Sequence, residues 1–235
     1  MILETATRTL ELLTNPAVLD ITLRSIRVSG VATILALVVG LPIAAALALL
    51  NFKGKEIIKS IFNALLGIPT VVLGLVLYIL IAPNGVLGYL GLLYTELGIS
   101  VGQMLLILPI IVSFVVNSIE RVEREIRDLA YTLGATEFQT SLALLREAYS
   151  GVVLATIAAF NRAIAELGIA LMIGGNVFVS GGRYNTRVLT TAMQMYVARG
   201  EIEVAIALGI ILIAIVFSIS LLSNSLQRCY GLDKT

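Results

Sequence analysis

Five stretches of this chain run for about 20 residues or more with almost no charge, and they limit the available folds more than any other feature. A helix needs about 20 apolar residues to cross the hydrocarbon core of a bilayer, and a lone strand would leave its backbone groups unpaired in lipid. The sequence therefore predicts an all-α membrane protein with five transmembrane helices in a single domain, residues 1–235. The predicted spans are Val28–Leu50, Ser60–Pro83, Leu97–Ile119, Ala148–Gly175 and Val204–Gln227.

Composition agrees with a membrane protein and excludes several kinds of site. Hydrophobic residues make up 58% of the chain and charged residues 13%, against about 45–50% and about 25% in soluble domains. The net charge of +1 favours neither nucleic acid nor a polybasic lipid anchor. The chain has no histidine and one cysteine, Cys229, which excludes histidine-based metal sites, Ser-His triads and an internal disulfide. We predict no catalytic residue and no metal site.

The amino terminus does not resemble a cleavable signal peptide, because no Lys/Arg-led start precedes an apolar core. Leucines lie among polar residues before Asn15-Pro16. Residues 1–20 are therefore predicted to include a short helix lying in the membrane interface.

Five spans place the two ends of the chain on opposite sides of the membrane. With the amino terminus outside and the carboxy terminus in the cytoplasm, nine Lys/Arg residues lie inside and six outside, as the positive-inside rule requires. The outer connection Asn84–Glu96 contains no Lys or Arg. Prolines occur within three spans, either as ordinary kinks or as hinges used in gating: Pro42, Pro69 and Pro109.

A charged segment, Glu120–Glu147, interrupts the apolar runs. It holds ten charges in 28 residues, with opposite signs three and four positions apart over Glu120–Asp128, a spacing that supports a solvated helix. Gly134 suits a helix stop, and Thr136 suits the N-cap of a second helix. The segment is predicted to form a helix, a glycine turn and a second helix.

This segment resembles the cytoplasmic coupling loop of ABC importer permeases. In that family Glu-Ala-Ala is followed after three residues by Gly and after nine more by Ile; Asp128-Leu129-Ala130, Gly134 and Leu144 stand at these places. Arg146-Glu147 departs from the Leu-Pro that closes the family motif. The resemblance implies docking of an ATP-binding subunit through Asp128, Ala130, Gly134, Ala135, Thr136, Phe138 and Gln139.

Phe138 suits an aromatic anchor in a pocket of that partner; the alternative is a Phe folded back on the membrane domain. The chain lacks the phosphate-binding motif G-x-x-x-x-G-K-[ST]. We therefore expect no cofactor in this chain, and expect ATP and Mg to be bound by the partner subunit.

A second resemblance covers the chain from about Leu23 onward. The stretches at 162–168, 172–176 and 186–192 are similar, in this order, to oxyanion importer permeases, and Gly-Gly-Asn at 174–176 is most like tungstate permeases. Ala165 departs from the usual Gly, and Val177–Asn185 is longer than the family suggests. The resemblance implies import of an oxyanion, tungstate first, with molybdate or sulfate as the alternative.

Arg162 and Glu166 are four residues apart, which predicts one face of a single helix at membrane depth, where a lone charge costs several kcal/mol. They form either an ion pair that locks helix packing or, with Asn176, part of the translocation path or its gate. Five small polar residues of the spans either line such a path or join helices: Asn63, Thr70, Gln103, Ser113 and Asn117. Arg183 and Arg187 are either solvated or meet a binding protein.

The resemblance also implies an assembly in the cell membrane. Five helices enclose little space, so we expect a homodimer with a two-fold axis normal to the membrane. The expected partners are an ABC ATP-binding subunit, an extracytoplasmic oxyanion-binding protein, a second copy of the chain and the lipid bilayer. The alternatives from other classes are a stand-alone channel or an intramembrane hydrolase.

Overall fold

The computed structural model describes residues 15–177 and 185–229, with the backbone alone at 123–128, 131, 137–138 and 222–229. Within this part of the chain the regular structure is helical, apart from a short 3-10 turn at Gly88–Leu90. In chain order the helices are α1 (Pro16–Leu49), α2 (Lys55–Leu65), α3 (Thr70–Ile81), α4 (Glu96–Thr132), α5 (Glu137–Glu147), α6 (Tyr149–Ile164), α7 (Gly168–Gly174), α8 (Leu189–Ala198) and α9 (Ile202–Cys229).

Helix α4 lies at the centre of the bundle. Its most apolar stretch is 67% buried, against 39% for α1 and 17% for α9. Ile107 and Ile111 of α4 are fully buried against α1, whose facing positions are small, such as Ala36 and Gly40. A Cβ on Gly40 would lie 2.9 Å from Ile111 Cγ2. Small residues let two helices approach closely where lipid supplies no hydrophobic force between them.

Three of the predicted spans are continuous helices. By length and composition α1, α4 and α9 are each able to cross a membrane, and the number rises to five if each of two bent helix pairs counts as one span. The first, third and fifth predicted spans are therefore confirmed as uninterrupted helices. Helices α4 and α9 extend beyond both predicted bounds, whereas α1 begins earlier than predicted and ends one residue before Leu50.

The second and fourth predicted spans are not single helices. Helices α2 and α3 meet at 103°, with Pro69 at the N-cap of α3. The predicted fourth span begins in α6, which is bent by 50° from α5, and it breaks again after Ile164. Pro42 and Pro109 lie inside continuous helices, so among the three prolines it is Pro69 that marks a break.

The predicted interfacial helix at residues 1–20 falls mostly on residues 1–14, which lie outside the described part of the chain. Asn15 caps α1: its Oδ1 accepts a hydrogen bond from the Ala17 N–H at 2.9 Å. Pro16 is the first residue of that helix, a position where its missing N–H is not needed. Residues 16–20 are therefore the beginning of the first long helix.

Candidate functional site

Residues 128–147, called the hairpin below, have the helix-turn-helix form predicted for them. Helix α4 ends at Thr132 and Gly134 has φ +75°. The Ala135 N–H donates to the Ala130 carbonyl at 2.9 Å, as in a Schellman motif, whose left-handed position favours glycine. The predicted glycine stop is confirmed.

A capping box starts the second helix of the hairpin. Thr136 Oγ1 accepts from the Gln139 N–H at 3.4 Å, and the Thr136 N–H donates to Gln139 Oε1 at 2.9 Å. Each side chain thus satisfies a backbone N–H that the helix leaves unpaired. The turn therefore has a defined geometry, and Thr136 is the N-cap that the sequence predicted.

One face of α5 holds the hairpin to the membrane bundle. Thr140, Leu144 and Ala148 are spaced by four residues and are each at most 1% exposed. Leu144 belongs to the main hydrophobic core. Because residues four apart share a helix face, α5 lies on the bundle along this stripe and leaves its other side uncovered.

The uncovered side of the hairpin carries leucines that the sequence analysis did not select. Leu129 is 59% exposed, Leu133 77% and Leu142 43%. Leu129 and Leu133 are four residues apart, a spacing that places two side chains on the same helix face, so the sequence contained a signal for this pair. Two residues that were selected, Asp128 and Phe138, have side chains outside the described part of the structure, and their docking role stays a prediction.

Lys59 joins α2 to the carboxy-terminal half of α4. Its Nζ donates to Glu120 Oε1 at 2.9 Å and to Glu56 Oε1 at 2.8 Å. The ammonium group therefore faces two carboxylates. This cluster lies where the apolar part of α4 ends and the charged segment begins.

The second selected region is a break between α6 and α7. Arg162 Nη1 donates to Glu166 Oε2 at 2.7 Å, so the predicted ion pair is present. Glu166 is 3% exposed, and its Oε1 accepts from the N–H groups of Gly168 at 2.9 Å and Ile169 at 3.3 Å. The carboxylate therefore caps the amino end of α7 as well as pairing with arginine.

This arrangement corrects the prediction that both residues lie on one face of a continuous helix. Helix α6 ends at Ile164, and Glu166 lies in the connection before Gly168. Thr190 Oγ1 of α8 donates to the Glu166 carbonyl at 2.9 Å. Burial of a carboxylate needs several donors, and a helix end supplies two that a helix interior would not.

The break also lies against α3. A Cβ on Gly168 would meet Val71 Cγ2 at 3.2 Å and Thr70 Oγ1 at 3.3 Å, and a Cβ on Gly74 would meet the Ile169 Cα at 3.3 Å. Glycine at 74 and 168 thus permits close contact of the two helices. Thr70 accordingly lies at a helix–helix contact.

Asn176 lies past the end of α7, on the side of the molecule that holds residues 185–188. It has φ +52°, which asparagine tolerates better than most residues, and its Oδ1 accepts from Arg187 Nε at 3.1 Å. Burial lowers the pKa of the Arg187 guanidinium from its usual value. Helix α7 separates Asn176 from Glu166 along the chain, and the two residues do not hydrogen-bond to each other. Arg183 lies outside the described residues.

A buried arginine at the same end of the molecule was not selected from the sequence as a site residue. Arg24 is 7% exposed and donates to Asp20 Oδ2 at 2.6 Å, to Glu96 Oε1 at 3.2 Å and to the Arg187 carbonyl at 3.1 Å. Arg27 also pairs with Glu96. This cluster ties together the amino ends of α1 and α4 and the connection before α8.

Gln103 acts as a link between helices. Its Nε2 donates to the Ala163 carbonyl at 2.9 Å, and its Oε1 accepts from Ser29 Oγ at 3.2 Å. The side chain is buried, with a residue exposure of 2%. Of the two alternatives for this residue, helix joining is the one that the geometry supports.

Comparison with known proteins identifies the type of chain that carries these features. Residues 36–230 match the family described as binding-protein-dependent transport system inner membrane component. The chain belongs to this family. Its members are the permease subunits of ABC importers, which are not themselves enzymes, and the family implies an ATPase and a binding protein as partners.

Individual relatives of this ABC importer permease are anion permeases. The chain is 38% identical to a probable anion ABC transporter permease protein of Haloferax volcanii, over 86% of this chain and 88% of the relative. It is 32% identical to the tungstate uptake system permease protein TupB of Peptoclostridium acidaminophilum, over 91% and 92%. It is 34% identical to TupB of Campylobacter jejuni, over 76% and 72%. Permeases named for sulfate and molybdate transport match as well.

Proposed function

We propose that this permease is the membrane-spanning subunit of an ATP-driven importer for a tetrahedral oxyanion, tungstate in the first place. Two copies would form the path, with five spans in each, the amino terminus outside and the carboxy terminus in the cytoplasm. A separate ATP-binding subunit would dock on the hairpin of each copy, and an extracytoplasmic binding protein would deliver the anion. The protein would reside in the cell membrane.

The hairpin is the observation that carries the docking proposal. It has a defined hydrogen-bonded form, with a Schellman turn at one end of the connection and a capping box at the other. Leu133, at its tip, is 77% exposed. An exposed leucine on a polar turn suits insertion into a pocket of a partner, since interface anchors are apolar groups surrounded by polar ones.

The buried stripe of α5 supports a mechanical role for the same hairpin. Thr140 and Leu144 hold it against the core, so a displacement applied at Leu133 would reach α4 and α6 through packed side chains. ATP binding would draw the two hairpins together and open the path outward, and hydrolysis would return it. Such a cycle is a two-state change in which ATP supplies the differential affinity.

The Arg162–Glu166 pair suits an anion path that must release its cargo. Arg162 keeps 40% of its side chain exposed while Glu166 is buried, so the exposed cation is already paired. A lone cation would hold a dianion tightly, whereas conduction needs sites that bind weakly enough to release. We place this pair at or beside the gate, and Asn176 with Arg187 near the outer mouth.

Docking is tested by changing Leu133→Asp, because a charge would have to be desolvated in the partner's pocket. We expect the membrane subunit to insert normally and to lose the co-purifying ATPase. Val86→Asp is the matched control, since Val86 is also a fully exposed apolar residue, at 81%, in a connection away from the hairpin. Retention of the ATPase by the Leu133 variant would refute docking through the hairpin.

The anion is tested with the importer and its binding protein in sealed vesicles. Tungstate, molybdate and sulfate are supplied separately, and ATP hydrolysis and uptake are measured. We expect tungstate to stimulate both at the lowest concentration. Relatives named for sulfate and molybdate make these anions the second candidate, and equal stimulation by sulfate would exclude the tungstate assignment.

A further inference from the structure

Helices α1, α2 and α4 enclose a small cavity. Its polar lining is Lys59 and Asn63 from α2 with Ser113 and Asn117 from α4; Leu47 and Phe62 supply apolar walls. The enclosed space has room for about one water molecule. Asn63 and Asn117 are exposed at the surface beside it.

A buried hydroxyl group on this lining lacks a partner. Ser113 is 6% exposed, and its Oγ makes no hydrogen bond within the described residues. An unsatisfied buried polar group is destabilising, so this hydroxyl group calls for a polar occupant of the cavity. The other such atom in the described chain, Asn161 Oδ1, belongs to an amide that already donates to Ser220 Oγ.

Exposed amides beside this cavity do not suit contact with lipid. Asn117 lies one helical turn before Glu120, and Ser113 lies roughly 10 Å before it along the helix axis, inside the apolar run 97–119. Polar side chains at such depth face water or a partner, because lipid offers them no hydrogen bond. The face made by Asn63, Ser113 and Asn117 is therefore not a lipid-facing surface.

The lysine at this face is paired. Lys59 Nζ is held by Glu56 and Glu120, so these three charges sum to −1 and the cavity has no unpaired cation. Its remaining groups are two amides and one hydroxyl group, each able to donate a hydrogen bond to an oxygen atom without adding charge. Neutral donors are suited to the brief, weak contacts that passage of an anion requires.

We infer that Asn63, Ser113 and Asn117 form the inner section of the oxyanion's path, closed in this conformation around room for about one water molecule. The inference rests on the proposed function and its orientation, which place Glu120 and hence this cavity at the cytoplasmic end. The ligand class is a tetrahedral dianion with oxygen acceptors, and tungstate is the probe for the uptake experiment.

Ser113→Ala separates a path residue from a structural one. Alanine removes the unpaired hydroxyl group and creates little space, so stability in detergent should stay the same or rise. Tungstate uptake by the complete importer in vesicles should fall about fivefold if the hydroxyl group contacts the anion. Unchanged uptake would overturn its place in the path.

Accessibility to water tests the same face without relying on transport. In a Cys229→Ser background, Asn117→Cys is treated from the cytoplasmic side with a membrane-impermeant thiol reagent. Phe217→Cys is the control, since Phe217 is 63% exposed and lies in the apolar part of α9. We expect Asn117→Cys to react about tenfold faster, and to slow when a non-hydrolysable ATP analogue closes the inner mouth.

Two results would overturn the inference. One is no reaction of Asn117→Cys in either nucleotide state. The other is a reaction of Asn117→Cys no faster than that of Phe217→Cys, which would mean that the face is not reached by water. If the unmodified importer fails to take up any oxyanion with ATP, the proposed function fails instead. The thiol reactivity then still reports whether water reaches this face.

Discussion

The hairpin and the break at Glu166 are both places where a helix stops, yet they stop for different reasons. At the hairpin the signals are local: Gly134 takes a left-handed conformation and Thr136 caps the next helix with Gln139. At the break, Ala165 has φ −84°, which any residue adopts, and a buried carboxylate holds the chain. The comparison teaches that the water-exposed turn is stabilised by its own residues, whereas the turn inside the bundle adds a hydrogen bond from a distant helix, from Thr190 Oγ1 to the Glu166 carbonyl.

Loss of the Glu166 carboxylate should have the largest effect. Glu166→Ala leaves the Gly168 and Ile169 N–H groups without their acceptor, at about 1–3 kcal/mol for each unsatisfied buried group, and it also removes the partner of the part-exposed Arg162. We expect a large loss of folded protein in thermal unfolding in detergent. Arg162→Ala should cost less, because Arg162 is part-exposed and Glu166 keeps two backbone donors. If the two variants are equally stable, the break does not depend on the carboxylate.

The interhelical link of Gln103 should rank second. Gln103→Leu leaves the buried Ser29 Oγ without its acceptor, at about 1–3 kcal/mol, and removes a donor from the Ala163 carbonyl, which still accepts from the Glu166 N–H. The melting temperature should fall while the ATPase stays bound, since the link lies within the bundle. Gln103→Met, which keeps the unbranched shape without adding a charge, is the control that separates lost hydrogen bonds from lost packing. A Gln103→Leu variant as stable as the unchanged protein would show that this link does not stabilise the bundle.

Gly134→Ala should have a smaller effect on stability and a larger effect on coupling. Alanine at φ +75° is strained by roughly 1–2 kcal/mol. This strain should be confined to the hairpin. We expect near-normal unfolding of the membrane part and weaker retention of the ATPase on an affinity column. Gly85→Ala is not a suitable control because its Cβ would meet backbone carbonyls; Gly30→Ala, with open space around it, is. A fall in overall stability with unchanged ATPase retention would contradict the separation of the two regions.

Thr136→Ala should have the smallest effect. Loss of an N-cap costs about 1 kcal/mol and would fray only the first turn of α5, while Thr140 and Leu144 keep the rest in place. Hydrogen exchange of the amides at 137–140 should quicken, with little change elsewhere. Thr136→Ser keeps the acceptor oxygen and should exchange at the original rate; faster exchange in this variant would show that the hydroxyl group is not what holds the turn.

The three continuous spans and the hairpin were predictable from the sequence, because each depends on hydropathy or on capping residues a few positions apart. The break at Glu166 was not, since Arg162 and Glu166 at a spacing of four look the same in an unbroken helix. The bend between α2 and α3 was hidden by a single apolar run, although Pro69 lay in it. The exposed leucines of the hairpin were missed because a spacing of four residues is the same on a buried and on an exposed helix face.

By itself the sequence determined that the chain spans a membrane with helices and carries a polar, capped hairpin, since length, hydropathy and caps act over a few neighbouring residues. Tertiary structure alone decided which polar residues share a site. It brought Thr190 to Glu166, Gln103 to Ala163, and Asn63 to Ser113 and Asn117. The physical reason is that a buried polar group needs a partner, and in lipid that partner comes from another helix whose place no local pattern records.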